Sequence, residues 1–115
     1  MSRYTPSRSP CPLDRASRVI GDRWVLLILR EAFLGVERFD QFLEHLPISR
    51  ATLTARLGLM VDAGLLDRVP PSAKRAAYQL TDAGRALAPA YAAIRDWGEA
   101  WLPPPATANP TAQQG

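Results

Sequence analysis

Two kinds of side chain in this sequence could do chemistry: a single thiol, and basic groups gathered on two short segments. Cys11 is the only cysteine and stands directly before Pro12. Proline suits the first position of a helix, so Cys11 takes the cap place, where unpaired amides favour a thiolate. Arg8 and Arg15 lie near it in the chain and add to that field. Such a thiol senses oxidants or electrophiles; the plainer alternative is that Cys11 only caps and packs. Arg50 and Arg56 fall in Ser49-Arg50-Ala51-Thr52-Leu53-Thr54-Ala55-Arg56-Leu57, and Lys74-Arg75 in a loop that opens with two prolines. A guanidinium fork binds phosphate or guanine through paired bonds. His45, the only histidine, is expected at the surface without a metal or catalytic partner. There is no Gly-rich phosphate loop, no paired catalytic carboxylates, no Cys/His metal spacing and no Ser/His/Asp set. Neither an enzyme nor a cofactor or metal site is expected.

The stretch Pro47 to Leu57 organises the chain. Ser49 is a good N-cap, since its hydroxyl can accept a bond from a first-turn amide. Ile48 and Leu53 then fall at the places of a hydrophobic staple. Leu53, Leu57 and Met60, with Val61 beside them, make an inward stripe at helical spacing. Ala51, Thr52 and Ala55 are left on the opposite face, flanked by Thr54 and Arg56. That face is small, polar and partly basic, and it can approach a duplex closely. An ordinary amphipathic surface helix would show the same pattern, so the neighbouring elements decide between the two.

Length and composition set limits. The 115 residues make one domain, and 47% are apolar, enough for a core. So small a body buries little, and a dimer sharing core residues would help it. The net charge of +3 is mild support for a polyanionic partner. Lys74 is the sole lysine among 14 basic residues; Arg suits phosphate contacts, but an Arg-rich genome leaves the same bias. One cysteine cannot form an intrachain disulfide. No signal peptide is visible at the N-terminus, and the longest apolar run, Trp24 to Leu29, is too short to span a membrane. A cytoplasmic, nucleoid-associated protein is expected.

In chain order, residues 1–10 are expected to be a flexible arm. A first helix opens at Cys11-Pro12, runs through Leu13, Ala16, Val19 and Ile20, and ends at Gly21. Residues 22–34 form a second helix, capped by Asp22, apolar almost all round and hence the buried spine; Gly35 stops it. Val36 to Phe39 is an extended link, a one-rung strand at most. Asp40 to Leu46 is a short third helix that Pro47 ends, because the residue before a proline avoids the helical region. With the Ser49 helix it makes a helix-turn-helix. Gly64 terminates the fourth helix. Leu65 to Val69 and Ala76 to Leu80 read as two strands joined by a basic loop, the layout of a wing. Thr81-Asp82 caps a last helix with an apolar stripe of Leu87, Tyr91, Ile94, Trp97 and Trp101, kinked at Pro89. An aromatic stripe on a terminal helix suggests a partner surface; packing across the first two helices of its own chain is the alternative. The domain spans 11–102, and 103–115 is expected to be a disordered Pro/Ala tail. The fold class is mainly α with a small β hairpin, a winged helix-turn-helix.

The chain resembles the HxlR-type, MarR-like winged helix-turn-helix transcriptional regulators of bacteria. The resemblance is carried by Cys11-Pro12; Ile20-Gly21-Asp22-Arg23-Trp24 running into Leu27-Ile28-Leu29-Arg30; Arg38-Phe39 with Leu43; and Leu46-Pro47-Ile48-Ser49. It continues in Leu53-Thr54-Ala55-Arg56-Leu57, Gly64-Leu65, Tyr78-Gln79-Leu80-Thr81 with Gly84, and Trp97-Gly98. It covers roughly residues 11–100. It implies a homodimer built from the first and last helices, with Leu13, Tyr91, Ile94, Trp97 and Trp101 as interface candidates. Each protomer would place Ser49, Arg50, Ala51, Thr52, Thr54, Ala55 and Arg56 in a major groove of a pseudo-palindromic operator, and the wing with Lys74 and Arg75 on the flanking backbone or minor groove. Members of the family often carry Lys and Gln where this chain has Ala51 and Ala55. Alanine meets a thymine methyl but makes no hydrogen bond to a base, so Arg50, Thr52, Thr54 and Arg56 would carry more of the contact. Arg56 has a second prospect, an ion pair with an acid of its own protomer. Some relatives sense oxidants or reactive carbonyls through a cysteine matching Cys11.

The expected function is therefore a sequence-specific DNA-binding regulator, a repressor or activator, with oxidant or electrophile response through Cys11. Two other classes stay open: a winged-helix docking module for proteins without DNA, and a one-component regulator whose small-molecule pocket is lined by Trp24, Tyr91, Trp97 or Trp101.

Overall fold

The computed structural model describes residues 4–105. The elements in order are α1 (Pro12–Ile20), α2 (Arg23–Phe33), α3 (Phe39–His45), α4 (Arg50–Asp62), β1 (Leu66–Val69), β2 (Ala77–Leu80), α5 (Asp82–Arg85) and α6 (Ala88–Trp101). The expected tail over 103–115 lies mostly outside the described residues. Residues 4–10 form no helix or strand, yet Tyr4 packs against the core, so this part of the expected arm lies on the body.

α2 is the spine. Its Val25, Ile28 and Leu29 are sealed from solvent and meet Phe42 of α3, Leu53, Leu57 and Met60 of α4, and Leu65 and Leu66. The signals that bound these helices are local and they hold. Asp22 Oδ1 accepts from the amides of Trp24 (2.9 Å) and Val25 (3.1 Å). Ser49 Oγ accepts from the Thr52 amide at 3.1 Å, with the staple residues Ile48 and Leu53 both buried below the cap. Gly64 ends α4 at φ 85°, a left-handed backbone that a side chain would resist.

β1 and β2 pair antiparallel, Leu66 with Leu80 through Val69 with Ala77. The Val69–Pro70 peptide bond is cis. The link after α2 makes one rung with this hairpin, the Tyr78 amide donating to the Glu37 carbonyl at 2.8 Å.

Two expectations need correction. The last helix is two helices, with a turn at Ala86 and Leu87 between α5 and α6. Pro89 does not kink a continuous helix but stands in the first turn of α6, where its missing N–H is not needed. His45 is exposed, as expected, and its Nδ1 lies 2.9 Å from Glu31 Oε1. Glu31 is buried on α2 and also accepts from Arg30 Nε at 2.9 Å. Burial pushes the Glu31 carboxyl up, but the Arg30 and His45 bonds and charges outweigh this and hold it below its usual value. A buried carboxylate is tolerated because it is paired, and the pair ties α3 to the spine.

α5 closes tightly on the end of α4. Thr81 Oγ1 accepts from the Gly84 amide and donates to the Gly64 carbonyl. A Cβ at Gly84 would sit 2.3 Å from the Leu65 carbonyl oxygen and 3.0 Å from Leu80 Cδ2. Backbone cannot yield there as a side chain would, so Gly84→Ala is expected to lose about 1–3 kcal/mol of stability, measured by chemical denaturation.

Candidate nucleic-acid interface

The outward face of α4 carries Arg50, Ala51 and Thr54 exposed and Thr52, Ala55 and Arg56 half-buried, with the cap Ser49 exposed. The hydroxyls on this face are oriented by the helix itself. Ser49 Oγ donates to Thr52 Oγ1 at 2.9 Å, and Thr54 Oγ1 donates to the Arg50 carbonyl at 2.8 Å. The Arg50 guanidinium lies 5.3 Å from the centre of the Phe39 ring.

Arg56 is held within the protomer. Its Nε donates to both carboxylate oxygens of Asp22, each at 3.1 Å, and both side chains are 33% exposed. Of the two prospects for this residue, the ion pair with an acid of its own chain is the one present. The Asp22 carboxylate thus caps α2 and grips α4 together. Burial pushes its carboxyl up, but the Arg56 bond and charge and the Val25 and Trp24 amides prevail and lower it from 3.8.

The wing stands beside this face. Lys74 and Arg75 are exposed, and with Arg38, Phe39, Asp40, Arg50, Ala76 and Tyr78 they line a cleft of about 450 Å³. Four cations and one acid surround that cleft, a field suited to a polyanion. Arg38 is the functional candidate that sequence reasoning missed. Its Nη1 donates to the Arg75 carbonyl at 2.8 Å; the two residues are 37 apart in the chain, and no local signal joins them.

The model of the HxlR-like helix-turn-helix family matches residues 19–106. The chain belongs to that family. An uncharacterised HTH-type transcriptional regulator of Mycobacterium tuberculosis (strain H37Rv) is 50% identical to it over 95 residues, 81% of this chain. The chain spans 60% of the length of that relative. Among solved structures, PA1607, a candidate transcription factor, superposes with a TM-score of 0.80 at 42% identity, covering 89% of this chain and 72% of that one. The redox regulator HypR in its reduced form superposes with a TM-score of 0.69 at 30% identity, over 78% of this chain and 92% of that one.

The remaining candidates of this HxlR-like chain lie away from α4. Cys11 is an exposed free thiol at the cap of α1. Its amide bonds Ser9 Oγ at 3.2 Å, and the guanidinium of Arg15 is bonded to the Ser9 carbonyl at 2.7 Å. Of the terminal-helix stripe, Tyr91 packs inside the protomer, its ring 5.2 Å from that of Phe33. Leu13 (76%), Ile94 (49%), Trp97 (57%) and Trp101 (71%) stand exposed. Trp24 packs against the core. No helix among the described residues is long and apolar enough to cross a membrane.

The Asp22–Arg56 pair predicts a pH dependence. A carboxyl lowered in the folded state contributes stability that is present above its unfolded value of 3.8 and is lost as pH falls through the lowered folded value. Arg56→Ala is expected to be about 1 kcal/mol less stable than wild type at neutral pH, as befits a half-exposed charged pair. That difference is expected to shrink below pH 4 in denaturant titrations run at a series of pH values.

Proposed function

We propose that this protein is a DNA-binding transcriptional regulator that acts as a homodimer in the cytoplasm. The observation that carries this is the convergence of the outward α4 face, the wing cations and Arg38 around one basic cleft. α4 would enter the major groove, with Arg50, Thr52 and Thr54 toward base edges and Ala51 and Ala55 allowing close approach or touching a thymine methyl. Ser49 and the first turn of α4 would lie against the backbone. Lys74 and Arg75 would hold phosphates beside the groove. Arg56 would act mainly by holding α4 to Asp22. The exposed face of Leu13, Ile94, Trp97 and Trp101 supports pairing of two copies, since apolar patches of this kind mark interfaces. A dyad of α4 helices about one helical turn apart reads a pseudo-palindromic operator.

The test is binding of a duplex selected from a random pool by the full chain, followed by equilibrium titration across a salt series. Wild type is expected to bind as a dimer in sedimentation. Lys74→Ala is expected to weaken binding on every sequence and to flatten the salt slope by about one unit. Thr52→Ala is expected to alter the selected sequence. No enrichment from the pool, or an affinity indifferent to salt, overturns this function.

Regulation through Cys11 is the finer part of the proposal. An exposed free thiol at a helix cap, in a chain similar to the redox regulator HypR, supports oxidation or alkylation of Cys11 as the input signal. Peroxide, diamide or an aldehyde is expected to change duplex binding of wild type and to leave Cys11→Ser unchanged. Equal responses of the two proteins overturn the sensing role.

A further inference from the structure

The wing loop is held by two arginines of its own chain. Arg68, on β1, donates Nη1 to the Pro71 carbonyl at 3.0 Å and Nη2 to the Ala73 carbonyl at 2.8 Å. Its guanidinium lies 5.8 Å from the centre of the ring of Tyr78, its register partner on β2. From the other side Arg38 donates to the carbonyl of Arg75 at 2.8 Å. The carbonyls of alternate residues, 71, 73 and 75, are therefore each satisfied by a guanidinium. Within the loop, the Ala73 amide bonds the Pro70 carbonyl at 3.2 Å. Lys74 and Arg75 are left exposed on this scaffold.

A loop that orders only on meeting its ligand loses affinity to that ordering. Here the ordering is done by the fold. Arg68 achieves this although its Nε is buried without a partner among the described residues, a feature that works against stability. Its two carbonyl bonds shape the loop rather than simply anchoring the sheet.

We propose that Arg68 and Arg38 are positioning residues that hold the wing loop, with Lys74 and Arg75, in its DNA-binding shape before DNA arrives. This role rests on the DNA-binding function above. It requires no phosphate contact by Arg68, and that separates it from the role of Lys74. Loss of a phosphate contact lowers both affinity and salt slope. Loss of loop order lowers affinity alone.

The experiment compares the full chain carrying Arg68→Gln, Arg38→Gln or Lys74→Gln with wild type, on the duplex that wild type selects. Arg68→Gln is expected to bind about three- to tenfold more weakly with the wild-type salt slope, while Lys74→Gln loses about one unit of slope. In the free protein, amide hydrogen exchange over residues 72–76 is expected to speed up in both arginine variants. Arg38→Gln, on the exposed side of the loop, gives the same exchange readout should Arg68→Gln fail to fold. Unchanged exchange in the folded variants, unchanged affinity of Arg68→Gln, or a unit loss of slope in Arg68→Gln overturns the positioning role and leaves the DNA function standing. A wild type that selects no duplex overturns the DNA function, and this role with it.

Discussion

The Asp22 carboxylate is the interaction on which the geometry of this fold turns. One of its oxygens closes the first turn of α2, and the same group grips Arg56 of α4. α2 is the spine against which α3 and α4 pack. α4 is thus fixed to that spine twice, by Leu53, Leu57 and Met60 in the dry core and by an ion pair at its edge. Hydrophobic packing has no strong directional preference, whereas a cap and a charged hydrogen bond do. The polar clamp adds a directional contact to the roll that the buried Leu53, Leu57 and Met60 stripe gives α4. Arg56 is half-buried beside Asp22, and Arg50 is the exposed arginine of this face.

Similar polar stitches connect the other parts of the interface. Glu31 ties α3 to α2 through His45, and Arg38 and the Glu37 carbonyl tie the α2–α3 link to the hairpin. Each joins elements whose apolar contacts alone would permit sliding. Together they make one body of helix-turn-helix and wing, and the basic cleft lies at their junction.

The terminal helix has another character. α6 has no buried residue; its Tyr91 meets Phe33 of α2, and Leu87, just before it, packs against the core. Beyond that point the helix presents Ile94, Trp97 and Trp101 outward. Two exposed tryptophans on one helix are costly to hydrate.

The sequence alone determined nearly all the element boundaries and the inward stripes. Caps such as Asp22, Ser49 and Thr81, stops such as Gly64, and the periodicity of Leu53, Leu57 and Met60 act within one or two helical turns, so they are visible in a linear string. The family was also legible, because its motif strings are contiguous. Pro89 shows the limit even of local signals: a proline inside a periodic run marks a kink or a new first turn equally well, and the placing of Gly84 against the Leu65 backbone accompanies the second outcome. Only the tertiary structure decided the partners of charged side chains. Arg56 finds Asp22, His45 finds Glu31, Arg38 finds the Arg75 carbonyl, and these pairs are 34, 14 and 37 residues apart. Long side chains reach whatever acceptor the packed elements bring near, and that proximity is a property of the assembled core rather than of any segment of it.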